Sequence, residues 1–165
     1  MLILSKVFLI DDSESMKDHW GSVLRVFHAL AYLVKKEDPD GIDMYLANTL
    51  SGHHKRHTKE LMETLQSVRP QGYCDMKEAL GWLLEKFDHG PPTSPPAKPR
   101  HRSRWSLSLP KSPATPSEKR GLSIYVLTDG VWQDGPGEVC GVEEPIRLAV
   151  SKLEQRGMLD SRIGI

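Results

Sequence analysis

The chain has 165 residues, with 22 basic and 22 acidic side chains. This length is enough for one domain with a buried core, and the even charge gives no reason to expect a nucleic acid or a membrane surface as the partner. No apolar run approaches the roughly 20 residues that a membrane-spanning helix needs. The two cysteines, Cys74 and Cys140, are too few for a disulfide framework. We therefore predict an intracellular, cytoplasmic protein.

The first part of the chain alternates between strand and helix patterns. A continuous apolar run over residues 7–10 predicts a strand that is covered on both faces. Apolar residues then recur at spacings of four and three, which predicts a long amphipathic helix: Met16, Trp20, Val23, Phe27, Leu30 and Val34. Residues 42–47 alternate as a second strand does. This order of strand, helix and strand indicates a parallel β-α-β unit.

The middle of the chain is helical after an ambiguous segment. "TLSGHHKRH" fits either a loop or a short edge strand. Thr58 can cap a helix that Pro70 stops. Asp75 and Glu78 form a start similar to a capping box, which predicts a further helix.

The later part adds a strand and a helix. "SIYVLT" at residues 123–128 predicts a central strand, and a helix is expected from about Pro145 to Gly157, with Ile146, Ala149, Val150 and Leu153 at helical spacing. "SRIGI" at residues 161–165 has the pattern of one more strand, which the end of the chain interrupts. We therefore expect an α/β fold, a Rossmann-like doubly wound and mostly parallel sheet with helices on both faces, in a fragment that lacks its C-terminal strands.

Residues 90–120 differ from the rest in composition. Eight of the 12 prolines and six serines lie between Gly90 and Gly121, and residues 91–120 carry a net charge of +6, against −6 for the remainder. Such a segment buries too little apolar surface to offset the entropy of ordering it. We predict a disordered insertion at 90–120 within a single domain that covers residues 1–165.

Two polar clusters follow predicted strands. The first contains Asp11, Asp12, Ser13, Glu14 and Ser15, and the second contains Thr128, Asp129 and Gly130. Ligands of open parallel sheets bind at the carboxyl ends of the strands, and short oxygen-bearing side chains suit Mg²⁺. A purely structural interpretation also fits, with Ser15 as a helix cap and residues 128–130 as an ordinary turn.

The two clusters carry a resemblance to a known family. "FLIDDSESM" resembles the Asp-x-Ser-x-Ser motif of the von Willebrand factor type A domain, and "YVLTDGVW" resembles the second motif of that family. The chain is most similar to the intracellular fungal-type members, in which "LTDG" precedes Val-Trp. The resemblance implies a non-enzymatic protein-interaction domain that binds Mg²⁺, or Mn²⁺, at a metal-ion-dependent adhesion site.

The resemblance also implies a role for each site residue. Ser13 and Ser15 would bind the ion through their hydroxyls, and Asp11 and Asp129 would hold it largely through waters. The open position would take an acidic side chain of a protein partner. Two departures indicate a degenerate site: Cys74 stands where the family has a threonine, and Glu14 stands where the family has a small residue.

Other hypotheses remain open from the sequence. "LIDDS" is similar to the acidic pair of receiver domains, although "MYLANT" does not end in the aspartate that such domains phosphorylate. A Mg²⁺-dependent hydrolase would need an acid-base arrangement that the sequence lacks. His53, His54 and His57 could bind zinc or lie in a solvated loop, and Cys74 could be a nucleophile only with a base nearby. The basic residues of the insertion fit a solvated linker better than an RNA contact.

Overall fold

The structure is a computed structural model that describes residues 4–36, 41–88, 121–131 and 141–155. In chain order its elements are β1 (Leu4–Ile10), a short 3-10 helix (Glu14–Lys17), α1 (Trp20–Lys35), β2 (Ile42–Leu46), β3 (Ser51–Lys55), α2 (Thr58–Ser67), α3 (Met76–Asp88), β4 (Gly121–Leu127) and α4 (Glu143–Gln155). The predicted insertion at 90–120 and the predicted strand at 161–165 lie outside the described residues. Within the described part, no helix combines the length and the apolar character needed to cross a bilayer.

The strands form one mixed sheet in the order β3-β2-β1-β4. β1 pairs in parallel with both β2 and β4, and β3 pairs antiparallel with β2. Ile10 lies opposite Leu46 on one side and Leu127 on the other, so that the three parallel strands end side by side. The α/β class, the parallel β-α-β unit and the edge strand within "TLSGHHKRH" are confirmed.

The central strand β1 divides the core in two. Phe8 and Ile10 belong to a cluster with α1 and α2, whereas Val7 and Leu9 belong to a cluster with α3. Because successive side chains of a strand point to opposite faces, helices cover both sides of the sheet. This arrangement explains why residues 7–10 are apolar without interruption.

Phe8 is a fully buried aromatic residue of the cluster with α1 and α2. Its ring meets Phe27 of α1 edge-on at 5.0 Å between centroids and stacks on Tyr125 of β4 at 5.1 Å. Phe8 and Phe27 are both fully buried. The aromatic contacts therefore join the central strand, the neighbouring strand and the long helix.

The first helix begins later than its apolar pattern predicts. Ser13 is extended, and the chain then turns through the 3-10 helix before α1 starts at Trp20. The Met16 N–H donates to the Ser13 carbonyl and the His19 N–H to the Met16 carbonyl, which are the short-range bonds of this tighter helix. Ser15 lies inside this turn, so the prediction that it caps the long helix is wrong. The tight turn buries Met16 against the core.

The capping predictions for the two middle helices have different outcomes. The Glu78 N–H donates to the Asp75 carboxylate at 2.8 Å, which confirms the capped start of α3. Thr58 is the first residue of α2, and His57 precedes it at the cap position. Thr58 therefore begins the helix but does not cap it.

The position of α4 is close to the prediction. No residue of α4 is buried, and Ile146 is 47% exposed. α4 lies along α3, where Lys77 pairs with Glu144 at 2.6 Å and Pro145 lies beside Gly81. The apolar spacing of α4 therefore predicted the helix correctly.

The aromatic packing leads to a stability prediction. We expect Phe27→Ala to lower the free energy of unfolding by about 3–5 kcal/mol, because it removes a fully buried ring and leaves a cavity beside Phe8. Leu33→Ala is the matched control on the same helix, since Leu33 is 59% exposed, and we expect a change within about 0.5 kcal/mol. Urea denaturation followed by circular dichroism measures both. Equal losses in the two variants would contradict the assignment of this core.

Candidate functional site

The candidate site lies where β1, β2 and β4 end together. Strand pairing continues one residue beyond the strands, since the Asp11 N–H donates to the Leu127 carbonyl at 2.9 Å and the Ala47 N–H to the Ile10 carbonyl at 2.8 Å. The loop that follows β1 is therefore held at its start by both neighbouring strands. Its first three residues, Asp11, Asp12 and Ser13, are buried.

Asp11 is fully buried and accepts hydrogen bonds on both carboxylate oxygens. The Ser13 N–H donates to one carboxylate oxygen at 3.0 Å, and the Thr128 hydroxyl donates to the other at 3.1 Å. A buried carboxylate requires such partners, because its charge is costly in a medium that excludes water.

The two serines of the motif lie side by side. The hydroxyl oxygens of Ser13 and Ser15 are 3.1 Å apart, and Ser13 is buried while Ser15 is half-buried. Between them, the Glu14 N–H donates to the Gly72 carbonyl at 2.9 Å, which fixes the backbone of the loop. The structure thus brings both predicted hydroxyl ligands next to each other, in the loop that Asp11 begins.

Cys74 lies at the site as a buried thiol. Burial raises the pKa of Cys74 well above its ordinary value, and the neighbouring negative charges of Asp11, Asp12 and Asp75 raise this pKa further. The sulfur therefore stays protonated at neutral pH, and a protonated thiol is neither a metal ligand nor a nucleophile. Cys74 belongs to the buried core cluster that also contains residues of α3.

Asp129 lies in the turn that follows β4. Its carboxylate accepts the Val131 N–H at 2.9 Å, and the Thr128 hydroxyl accepts the Gly130 N–H at 3.0 Å. Gly130 has a φ of +80°, which favours glycine, so the segment is also the ordinary turn that the structural interpretation predicts. Thr128 makes the direct bond to Asp11, while Asp129 faces a groove of about 420 Å³ between α1 and β4.

Glu14 extends away from the two serines. Its carboxylate pairs with Lys17 at 2.6 Å, and this hydrogen bond and charge lower the pKa of Glu14 below its usual value. The side chain is exposed on the surface of the 3-10 helix. The additional negative charge in the motif is thus balanced by a lysine three residues further on.

Asp12 contacts a different neighbour from Asp11. Its carboxylate accepts the Asn48 N–H at 2.7 Å, where the chain leaves β2. Burial raises the pKa of Asp12, the Asn48 N–H opposes this rise, and the charge of Asp11 adds to it. The two adjacent aspartates are therefore bonded to the ends of two different strands.

The oxygen donors at this edge have the chemistry that suits a hard cation. Ser13, Ser15 and Asp11 offer hydroxyl and carboxylate oxygens, which match Mg²⁺ or Mn²⁺, and the protonated thiol of Cys74 does not. In the described residues, no group of three or more His, Cys, Asp or Glu side chains is arranged to hold a metal ion. His54 pairs with Asp43 at 2.9 Å, so the histidine segment offers no zinc cluster there.

Comparison of the sequence with protein-family models and with curated proteins gives no match. The resemblance to the von Willebrand factor type A domain, which rests on two short motifs, stays a prediction.

Sequence reasoning placed Thr128 and Asp12 in the two polar clusters but gave neither a role at the site, and it did not include Asn48. The Thr128 hydroxyl makes the contact with Asp11 that joins the two clusters. Asn48 follows β2, the third strand whose carboxyl end lies at this edge. The rule that placed the other two clusters at strand ends also applies to Asn48, so the signal for it was present in the sequence.

The buried thiol leads to a prediction about its reactivity. In a Cys140→Ser variant, we expect Cys74 to react with a thiol-specific disulfide reagent at pH 8 far more slowly than an unfolded cysteine does. The reason is that Cys74 is 2% exposed and that its pKa is raised, so little thiolate is accessible. The same variant in urea gives the reference rate. A native rate equal to the rate in urea would contradict the position of this side chain.

Proposed function

We propose that this chain is a non-catalytic protein-interaction domain of the von Willebrand factor type A class, with a doubly wound sheet. Its site binds Mg²⁺ or Mn²⁺ and takes an acidic side chain of a protein partner. The observation that carries the proposal is the pair of serine hydroxyls, 3.1 Å apart, in the loop that begins at the buried Asp11.

In this proposal each residue has a defined task. Ser13 and Ser15 hold the ion through their hydroxyls, and Asp11 and Asp129 hold it largely through water. The bound ion supplies a positive charge that few anionic ligands neutralise, and it therefore attracts a carboxylate from outside. Lys17, paired with Glu14, reduces the repulsion between Glu14 and that incoming carboxylate.

The state of the reactive groups supports a binding role over catalysis. The Asp11 carboxylate accepts hydrogen bonds from the Ser13 N–H and the Thr128 hydroxyl, so it is poorly placed to take a proton from a substrate. Asp12 is bonded to Asn48, and the Cys74 thiol is kept protonated. These groups hold the loops together and are not free for chemistry.

A second candidate is a metal-free interaction domain with the same fold class. It is favoured by one observation, that the Ser13 N–H and the Thr128 hydroxyl satisfy both oxygens of the Asp11 carboxylate without an ion. In this case these two hydrogen bonds take over the stabilising role of a bound cation. The two candidates differ in whether the protein responds to Mg²⁺.

Metal-dependent stability separates the candidates. We expect millimolar Mg²⁺ or Mn²⁺ to raise the midpoint of thermal unfolding of the wild-type chain, because a ligand of the folded state adds about 2.7 kcal/mol at 100 times its dissociation constant. Asp11→Ala should abolish the rise. Asp18→Ala, which removes an exposed carboxylate near the same loop, should retain it.

The thermal experiment has two outcomes that would contradict the metal site. One is a wild-type midpoint that does not respond to either ion, which would favour the metal-free candidate. The other is an equal response in wild type and Asp11→Ala, which would mean that the ions bind elsewhere. Calcium-free buffers and a chelator-treated sample provide the baseline.

Replacement of Cys74, which stands where the family has a threonine, tests the role of this position in metal binding. We expect Cys74→Thr to strengthen Mg²⁺ binding about tenfold, because it exchanges a soft thiol for a hydroxyl at the same buried place. Cys74→Val is the matched control, since valine has the shape of threonine without the hydroxyl. Titration calorimetry measures both, and equal affinities in the two variants would contradict this role of position 74.

A further inference from the structure

Three residues at the site form a closed ring of hydrogen bonds. The Asn48 N–H donates to the Asp12 carboxylate at 2.7 Å, and the Asn48 side-chain amide donates to the Gln71 carbonyl at 2.6 Å. The Gln71 N–H donates to the Asp12 carbonyl at 2.9 Å and completes the ring. The ring joins the loop after β1, the loop after β2 and the loop before α3.

The ring of hydrogen bonds lies directly beside the loop that carries Ser13 and Ser15. Asp12 precedes Ser13 in the chain, and Gly72 follows Gln71 and accepts the Glu14 N–H at 2.9 Å. Gly72 has a φ of +75°, and a Cβ atom added there would lie 3.0 Å from the side-chain nitrogen of Asn48. The backbone on both sides of Ser13 is therefore held by residues that bear no metal-binding group of the motif.

We propose that the ring of Asp12, Asn48 and Gln71 positions the Ser13–Ser15 loop, and that through this loop it sets the affinity of the site for a divalent cation. The first part, the positioning of the loop, concerns the protein without metal. The second part, the effect on cation affinity, rests on the proposed function. Asp12 and Asn48 are then positioning residues, which act on the ion through the serines.

The side chain at position 12 has to accept a hydrogen bond from a backbone N–H, and the carboxylate of Asp12 does so. Asp12 is 4% exposed, and the Asn48 N–H that its carboxylate accepts belongs to the backbone, so truncation of the Asn48 side chain does not remove that donor. Asp12→Ala leaves the N–H without its acceptor. Asp12→Asn keeps a carbonyl oxygen at the same place and is the conservative variant.

The experiment uses four variants of the full chain. Asp12→Ala removes the acceptor, Asp12→Asn retains one, and Asn48→Ala removes only the side-chain bond to Gln71. Thr49→Ala is the matched control, because the hydroxyl of this neighbouring exposed residue contacts Ser51 outside the ring. Asn48→Ala truncates a half-buried side chain, so it keeps the test informative if Asp12→Ala does not fold.

The first measurement is made without metal. Amide hydrogen exchange of residues 13–15 should accelerate at least tenfold in Asp12→Ala and by a smaller factor in Asn48→Ala. It should stay near the wild-type rate in Asp12→Asn and Thr49→Ala. Exchange in β1 and α1 serves as the reference for global stability, since a merely destabilised protein would accelerate there as well.

The second measurement is the affinity for Mn²⁺, followed by the electron paramagnetic resonance signal of the free ion. We expect Asp12→Ala to weaken binding by about 10–100-fold, as residues that orient metal ligands do. Asn48→Ala should weaken it less, and Asp12→Asn should restore an affinity within about threefold of wild type.

The two measurements separate the failure of this inference from the failure of the proposed function. Absence of Mn²⁺ binding in wild type would overturn the proposed metal site and the second part of the inference, while the exchange data would still decide the first part. Wild-type exchange rates at residues 13–15 in both Asp12→Ala and Asn48→Ala would overturn the positioning role. Equal weakening of Mn²⁺ binding in Asp12→Asn and Asp12→Ala would show that the side-chain acceptor at position 12 does not set the affinity for the ion, and it would overturn the second part of the inference.

Discussion

The structure depends on the position of β1 between two parallel neighbours and beneath helices on both faces. Its residues from Val7 to Ile10 are fully or almost fully buried, and the chain must leave this strand at a point where β2 and β4 end as well. The first residues of the exit loop are polar and still buried, so each needs a partner within the protein. The partners come from the loops of the neighbouring strands and from the loop before α3. Because β1 is the central strand, the polar residues that follow it are buried, and they form hydrogen bonds with the neighbouring loops.

The adjacent carboxylates of Asp11 and Asp12 divide this task. Asp11 accepts a hydrogen bond from Thr128 beyond β4, whereas Asp12 accepts one from Asn48 beyond β2. One carboxylate thus lies with the serine hydroxyls, and the other anchors the loop that carries them. The two aspartates, Asp11 and Asp12, are adjacent in the sequence motif but have different structural roles.

Local patterns predicted the elements of this fold well and their mutual contacts less well. The apolar run of β1, the period of α1 and the Asp75 cap depend on neighbours within a few residues, and the structure contains all three. The 3-10 turn before α1 and the exposure of α4 depend on how the elements pack against one another. A local sequence pattern contains no information about that packing. At the site, Asp11, Ser13 and Ser15 were identified from their motif. Thr128 and Asn48 were not assigned, because strand register determines their contacts.

The contacts of the site also connect distant parts of the chain. The bond from Thr128 to Asp11 spans 117 positions, and the bond from Asn48 to Asp12 spans 36. Closing a flexible loop of more than 100 residues costs about 4 kcal/mol of entropy, whereas one hydrogen bond contributes about 1 kcal/mol. The side-chain bonds therefore contribute too little to hold the strands together on their own. The geometry of the site exists only where β1, β2 and β4 are paired in register.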